Sequence, residues 1–183
     1  MQNPAYNDLN VAVPSSRNTN SSFDLLTRGE GLQVSKANVC DGNGAQHDNL
    51  FTITGQVKIL AIWAEITQVT NGTTLSGNSL ELYDGTASVE ITDEGAPLDL
   101  SGATEVGGVL IKNGASATVA LANQRVNVGG VSDTMAAPFH AWKKSGATTY
   151  IRHNFTGDAN TNVSMTWYVR YVKLTSDGAV TAV

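Results

Sequence analysis

The chain has 183 residues, 41% of them hydrophobic, which suits one globular domain able to bury a core without staples. Lys and Arg number 11 against 16 Asp and Glu, a net charge of −5, and charged residues make up only 15% of the chain against the roughly 25% usual in globular domains. There is no basic stripe for nucleic acid and no apolar run near the roughly 18 residues of a membrane span, and one cysteine, Cys40, builds neither an internal disulfide nor a zinc ribbon. The expectation is a chain with no nucleic-acid or membrane partner and no cofactor. Its opening, Met1 to Tyr6, has neither the basic start nor the apolar run of a secretory signal.

Residues 1–30 are rich in Asn, Ser and Pro and sustain no period of 2 or 3.6. Two apolar clusters, Val11–Val13 and Phe23–Leu26, punctuate them. A mere tail needs no Leu25-Leu26 pair, so the segment reads as an extended arm that lays Phe23, Leu25 and Leu26 on a neighbouring surface. The rest, 31–183, reads as one β domain. Asp41-Gly42-Asn43-Gly44, with Asp48 beyond, has the look of a calcium loop but lacks the EF-hand residues at the fifth, sixth and twelfth positions, and is an ordinary Gly/Asn turn. Phe51–Thr54 alternates, and Gly55 marks a bulge or bend.

Gln56–Val69 is the longest strand candidate. Simple alternation puts Val57, Ile59, Ala61 and Trp63 on one face and Leu60, Ile62, Ala64 and Ile66 on the other. Apolar residues on both faces call for a second covering layer or another subunit. On that argument Leu60, Ile62, Ala64 and Ile66 are the expected oligomer interface. Turn dipeptides follow at Asn71-Gly72, Asp84-Gly85 and Asn113-Gly114, which tolerate the positive φ of tight hairpins, and at Ser145-Gly146. The cleanest alternation comes last, with Val163, Met165, Trp167, Val169 and Tyr171 on one side and Ser164, Thr166, Tyr168 and Arg170 on the other. No segment makes a convincing amphipathic helix. Many short Thr- and Val-rich strands between turns predict an all-β chain, an antiparallel β-sandwich or jelly roll behind an extended N-terminal arm.

Catalytic patterns are missing. His47, His140 and His153 belong to no zinc motif, no Gly-rich loop joins a strand to a helix, and Cys40 has no His near it in sequence. The acidic residues Glu81, Asp84, Glu90, Asp93, Glu94, Asp99 and Glu105 could hold a glycosidase pair but read better as a solvated sheet edge. No metal ligands are assigned and the chain is not expected to be an enzyme. Of the tryptophans, Trp63 and Trp167 are in phase with core residues, whereas Trp142 near a turn is the candidate for exposure.

The segments Phe51-Thr-Ile-Thr-Gly-Gln-Val-Lys-Ile-Leu and Met165-Thr-Trp-Tyr-Val-Arg-Tyr-Val-Lys-Leu, with the closing Asp177-Gly-Ala-Val, resemble those of small head proteins of tailed bacteriophages. A polar arm before a charge-poor β domain is similar in style to the capsid decoration, or cement, proteins. That resemblance implies a structural virion protein, made in the host cytoplasm and placed on the outer capsid surface. It would bind the major capsid protein as an oligomer, commonly a trimer, with Phe23, Leu25, Leu26 and Arg28 as capsid contacts. The alternative is a phage fibre, spike or carbohydrate-binding module that recognises a host glycan through Trp142, with Tyr150 and His153 nearby.

Overall fold

The computed structural model describes residues 31–70, 75–92, 100, 106–112, 121–124 and 138–183. The arm, with Phe23, Leu25, Leu26 and Arg28, lies outside the described residues, as does Asn71-Gly72. Among the described residues eleven strands are formed: β1 (Leu32–Asp41), β2 (Gly44–Thr54), β3 (Gln56–Val69), β4 (Leu75–Tyr83), β5 (Ser88–Glu90), β6 (Val109–Lys112), β7 (Leu121–Gln124), β8 (Phe139–Trp142), β9 (Thr149–Gly157), β10 (Asn162–Lys173) and β11 (Ala179–Ala182). They make two antiparallel sheets. One runs β1-β10-β3-β6-β7, with β8 also on β3, and the other runs β11-β2-β9-β4-β5. The chain is all-β, as the Thr/Val-rich alternation predicts, and one apolar cluster drawn from both sheets forms the core of a β-sandwich.

The pairing is nested. β1 pairs β10, β2 pairs β9, β3 pairs β8 and β4 pairs β5, while the β10–β3 and β9–β4 ladders join these pairs into two sheets. The β6–β7 hairpin sits beside β8 along β3, against Trp63–Glu65. Between β2 and β3 the chain passes from one sheet to the other at a single residue. Gly55, at φ 53°, separates β2 from β3, and a Cβ there would sit 2.5 Å from both Asp177 Oδ1 and Thr175 Oγ1. Only glycine allows that corner at no steric cost.

Strand β3 corrects the expected oligomer interface. Ala61 lies opposite Arg170 and Ile59 opposite Tyr171, so Leu60 is an extra residue; Ile66 faces Met165 and Gln68 faces Ser164, so Thr67 is another. Each bulge shifts the alternation by one. Val57 and Ile59, then Ile62, Ala64 and Ile66, and finally Val69 therefore all enter the same core. Val57 and Ile59 from one apolar face of the sequence and Ile62, Ala64 and Ile66 from the other are thus one face read across a bulge, while Ala61 and Trp63 stay outside it. Leu60, Ile62, Ala64 and Ile66 are each at most 1% exposed within the single chain and offer nothing to a second subunit. Trp63 falls on the outer face instead of in the core, half-buried and stacked on Tyr168 with ring centroids 5.2 Å apart. Trp167 is in the core, as its phase predicts.

The turns follow their chemistry with two shifts. Gly42 and Gly44 have positive φ and Asn43 does not, and the turn they make carries the chain from β1 in one sheet to β2 in the other. At the β4–β5 hairpin Gly85-Thr86 are central and not Asp84-Gly85, because the Asp84 carboxylate accepts the Thr86 and Ala87 amides and so takes the first turn position. Lys112 pairs with Leu121 at the end of the β6–β7 ladder, and Asn113-Gly114 lies outside the described residues. Ser145-Gly146 does turn the chain, with the Ala147 amide donating to the Lys144 carbonyl and Gly146 at φ 76°, but it leads from one sheet to the other.

Candidate functional site

Among the described residues two places bring reactive or exposed side chains together. The first is buried. The inward residues of β1, β4 and β9 place Cys40 Sγ 3.8 Å from His153 Nδ1, and His153 Nε2 2.9 Å from Asn78 Oδ1. Residues far apart in sequence thus meet as a Cys–His–Asn set, which only strand pairing could reveal. Its electrostatics oppose nucleophilic chemistry. Cys40 and His153 are both fully buried. Burial, followed by the Asp48 carboxylate, pushes the Cys40 thiol far above its ordinary range, and burial lowers His153 to about 3. The imidazole stays neutral, donates through Nε2 to Asn78, and leaves Nδ1 to accept the thiol proton. It is flanked by Phe155 and Trp167, with ring centroids 5.2 and 5.0 Å away. A thiolate nucleophile needs the opposite arrangement, a partly exposed and electropositive setting. This set is a satisfied polar inclusion in the core. It also removes His153 from the expected glycan surface.

The second place is open to solvent. A cleft of about 270 Å³ lies between the β4–β5 hairpin and β8, with Tyr83, Asp84, Val89, His140, Trp142 and Lys144 among its walls. His140 and Trp142 are two apart on β8, and both side chains are exposed, Trp142 at 60%. This agrees with the expectation from its turn-side position. Lys144, just beyond β8, crosses to the hairpin and pairs with Asp84 Oδ2, while its backbone amide donates to Thr149 Oγ1 at 3.1 Å. Asp84 Oδ1 accepts the Ala87 amide at 2.7 Å and the Thr86 amide at 2.9 Å. The Ala87 amide, then Lys144, then the Thr86 amide hold the Asp84 carboxyl well below the usual carboxylate range. Arg152 lies over the face of Tyr83, its guanidinium 3.7 Å from the ring centroid, and pairs with Glu81. Tyr150 is half-buried and sits opposite Tyr83 in the β4–β9 ladder.

The acidic run separates into different environments. Glu81 is buried and tied to Arg152, Asp84 is tied to Lys144, and Glu90 is exposed on β5. Asp93, Glu94, Asp99 and Glu105 lie outside the described residues. Among the described residues no three His, Cys, Asp or Glu side chains gather as a metal-ligand set. Compared with known proteins, the chain matches no protein-family model, no curated protein and no solved structure.

Proposed function

We propose that this chain is a structural virion subunit, a jelly-roll decoration protein that binds the outer surface of a phage head and reinforces it. The observation behind this reading is the nested pairing of eight strands, β1 with β10, β2 with β9, β3 with β8 and β4 with β5. A long hairpin folded over on itself into two sheets has this order, and such jelly rolls recur in capsid and lectin domains. A subunit that binds only the assembled shell stabilises it by mass action, without chemistry. Among the described residues β1 pairs on one side only, with β10. Ten residues of edge backbone, directly after the arm segment, suit strand addition by a neighbouring chain. The partner is the major capsid protein, and residues 1–30 supply the strap, with Phe23, Leu25, Leu26 and Arg28 as its contacts. The oligomer, a trimer by the family resemblance, forms through surfaces other than Leu60, Ile62, Ala64 and Ile66.

Co-sedimentation with assembled shells of a phage major capsid protein tests the reading. The full chain is expected to load the shells, and a chain lacking residues 1–30 to stay folded and lose them. A full chain that ignores the shells refutes decoration; a truncated chain that loads them fully refutes the strap. Light scattering at micromolar concentration reads the oligomer, and a monomer refutes it.

A further inference from the structure

The cleft beside Trp142 has no part in capsid binding as proposed above. We infer that it is a binding site for one ring of a neutral pyranose sugar. Trp142 leaves 60% of its surface in water, and Val89, on the opposite wall, leaves 67%. Large apolar side chains exposed together in a concave place mark a surface that meets something. The polar groups narrow the occupant. A pyranose has a C–H face and an edge of hydroxyls. The C–H face suits the flat indole of Trp142, and the hydroxyls meet the Asp84–Lys144 pair on the rim.

That pair has capacity to spare. An ionised carboxylate offers about four lone-pair sites, and Asp84 uses three of them on the Thr86 and Ala87 amides and on Lys144. An ammonium has three donors, of which Lys144 directs one to Asp84. A sugar hydroxyl can donate to the carboxylate while its neighbour accepts from the ammonium. Because the hairpin amides already fix Asp84, little order is lost when a ligand arrives. The pair also neutralises itself. An acidic sugar would set its carboxylate against Asp84 without an unshared cation from that pair, so a neutral hexose fits better. An aliphatic side chain of a protein partner would cover Trp142 but leave the rim pair without hydrogen-bonding groups to meet. The volume, about 270 Å³, is at the small end of ligand pockets, which fits one ring with the rest of a glycan running into solvent.

This inference does not rest on the capsid reading, and the experiments are separate. The full chain is applied to an array bearing neutral and acidic glycans. The neutral oligosaccharide giving the strongest signal is then titrated by calorimetry into wild type, Trp142→Ala, Trp142→Phe, Lys144→Met and, as a control away from the cleft, Trp63→Phe. Neutral glycans are expected to bind. Trp142→Ala should weaken the dissociation constant at least 10-fold, Lys144→Met several-fold and Trp142→Phe less than Trp142→Ala, with Trp63→Phe unchanged. Lys144 is exposed and its loss leaves the core intact, so that variant remains informative even where a tryptophan change disturbs folding. The inference is overturned if the array is silent, if only acidic glycans bind, or if Trp142→Ala and Lys144→Met bind as wild type. It is equally overturned if Trp142→Ala loses capsid shells while no glycan is bound, because the cleft then meets protein.

Discussion

Lowering the pH from 7 to 4 should weaken the fold through His153 in particular. The unfolded imidazole takes up its proton near pH 6.5, whereas in the core, between Phe155, Trp167 and Cys40, it does so only near 3. Between those values the unfolded chain binds more protons than the folded one, so stability falls as the pH falls. Above pH 6.5 the group is neutral in both states and contributes no slope. Each pH unit inside the window is worth about 1.4 kcal/mol, so the loss reaches roughly 3 kcal/mol at pH 4 and approaches 5 kcal/mol near pH 3. A domain of ordinary stability has only about 5–15 kcal/mol in all. Carboxylates titrate in the same range, so the measurement is a difference. Urea unfolding of wild type and His153→Gln, followed by tryptophan fluorescence at pH 7, 6, 5 and 4, isolates the one imidazole. Gln does not titrate and keeps a donor for Asn78. The variant is expected to be the less stable protein at pH 7 and to close or reverse the gap as acid is added. A gap that stays constant from pH 7 to pH 4 would refute the claim that this histidine is held neutral by burial.

Two substitutions test the corrected register and the sheet corner. Gly55→Ala places a methyl against Thr175, Asp177 and the Gly178 amide at a φ of 53°, and should cost about 2 kcal/mol or more in urea unfolding; a loss below about 0.5 kcal/mol would mean that the corner relaxes freely. Ile62→Asp puts a carboxylate into the inter-sheet core, so the expected outcome is a chain that fails to fold, seen as lost circular dichroism and protease resistance. A folded monomer of wild-type stability would return Ile62 to a subunit interface.

Local chemistry determined most of the secondary structure. Alternation along Val163–Tyr171 marks β10 and its buried face because side chains on a strand have a period of two and one side meets the core. Gly42, Gly55 and Gly146 stand where φ is positive, and their neighbours in sequence already announce a turn. Trp142, flanked by the exposed His140 and Lys143, was legible as a surface tryptophan.

What the sequence by itself determined, then, is an all-β chain and the phase of its regular strands, since these depend on neighbours one to four residues away. Tertiary structure alone decided the register of β3. Nothing in Leu60 or Thr67 announces an extra residue; only the partner β10, pairing at fixed spacing, shows which positions are skipped and joins parts of two apolar faces into one. It alone brought Cys40, Asn78 and His153 into contact, and it alone set Asp84 across a cleft from Trp142 and within reach of Lys144. Such meetings follow from which strands lie side by side, a choice made by burial over the whole sandwich and written in no short stretch of chain.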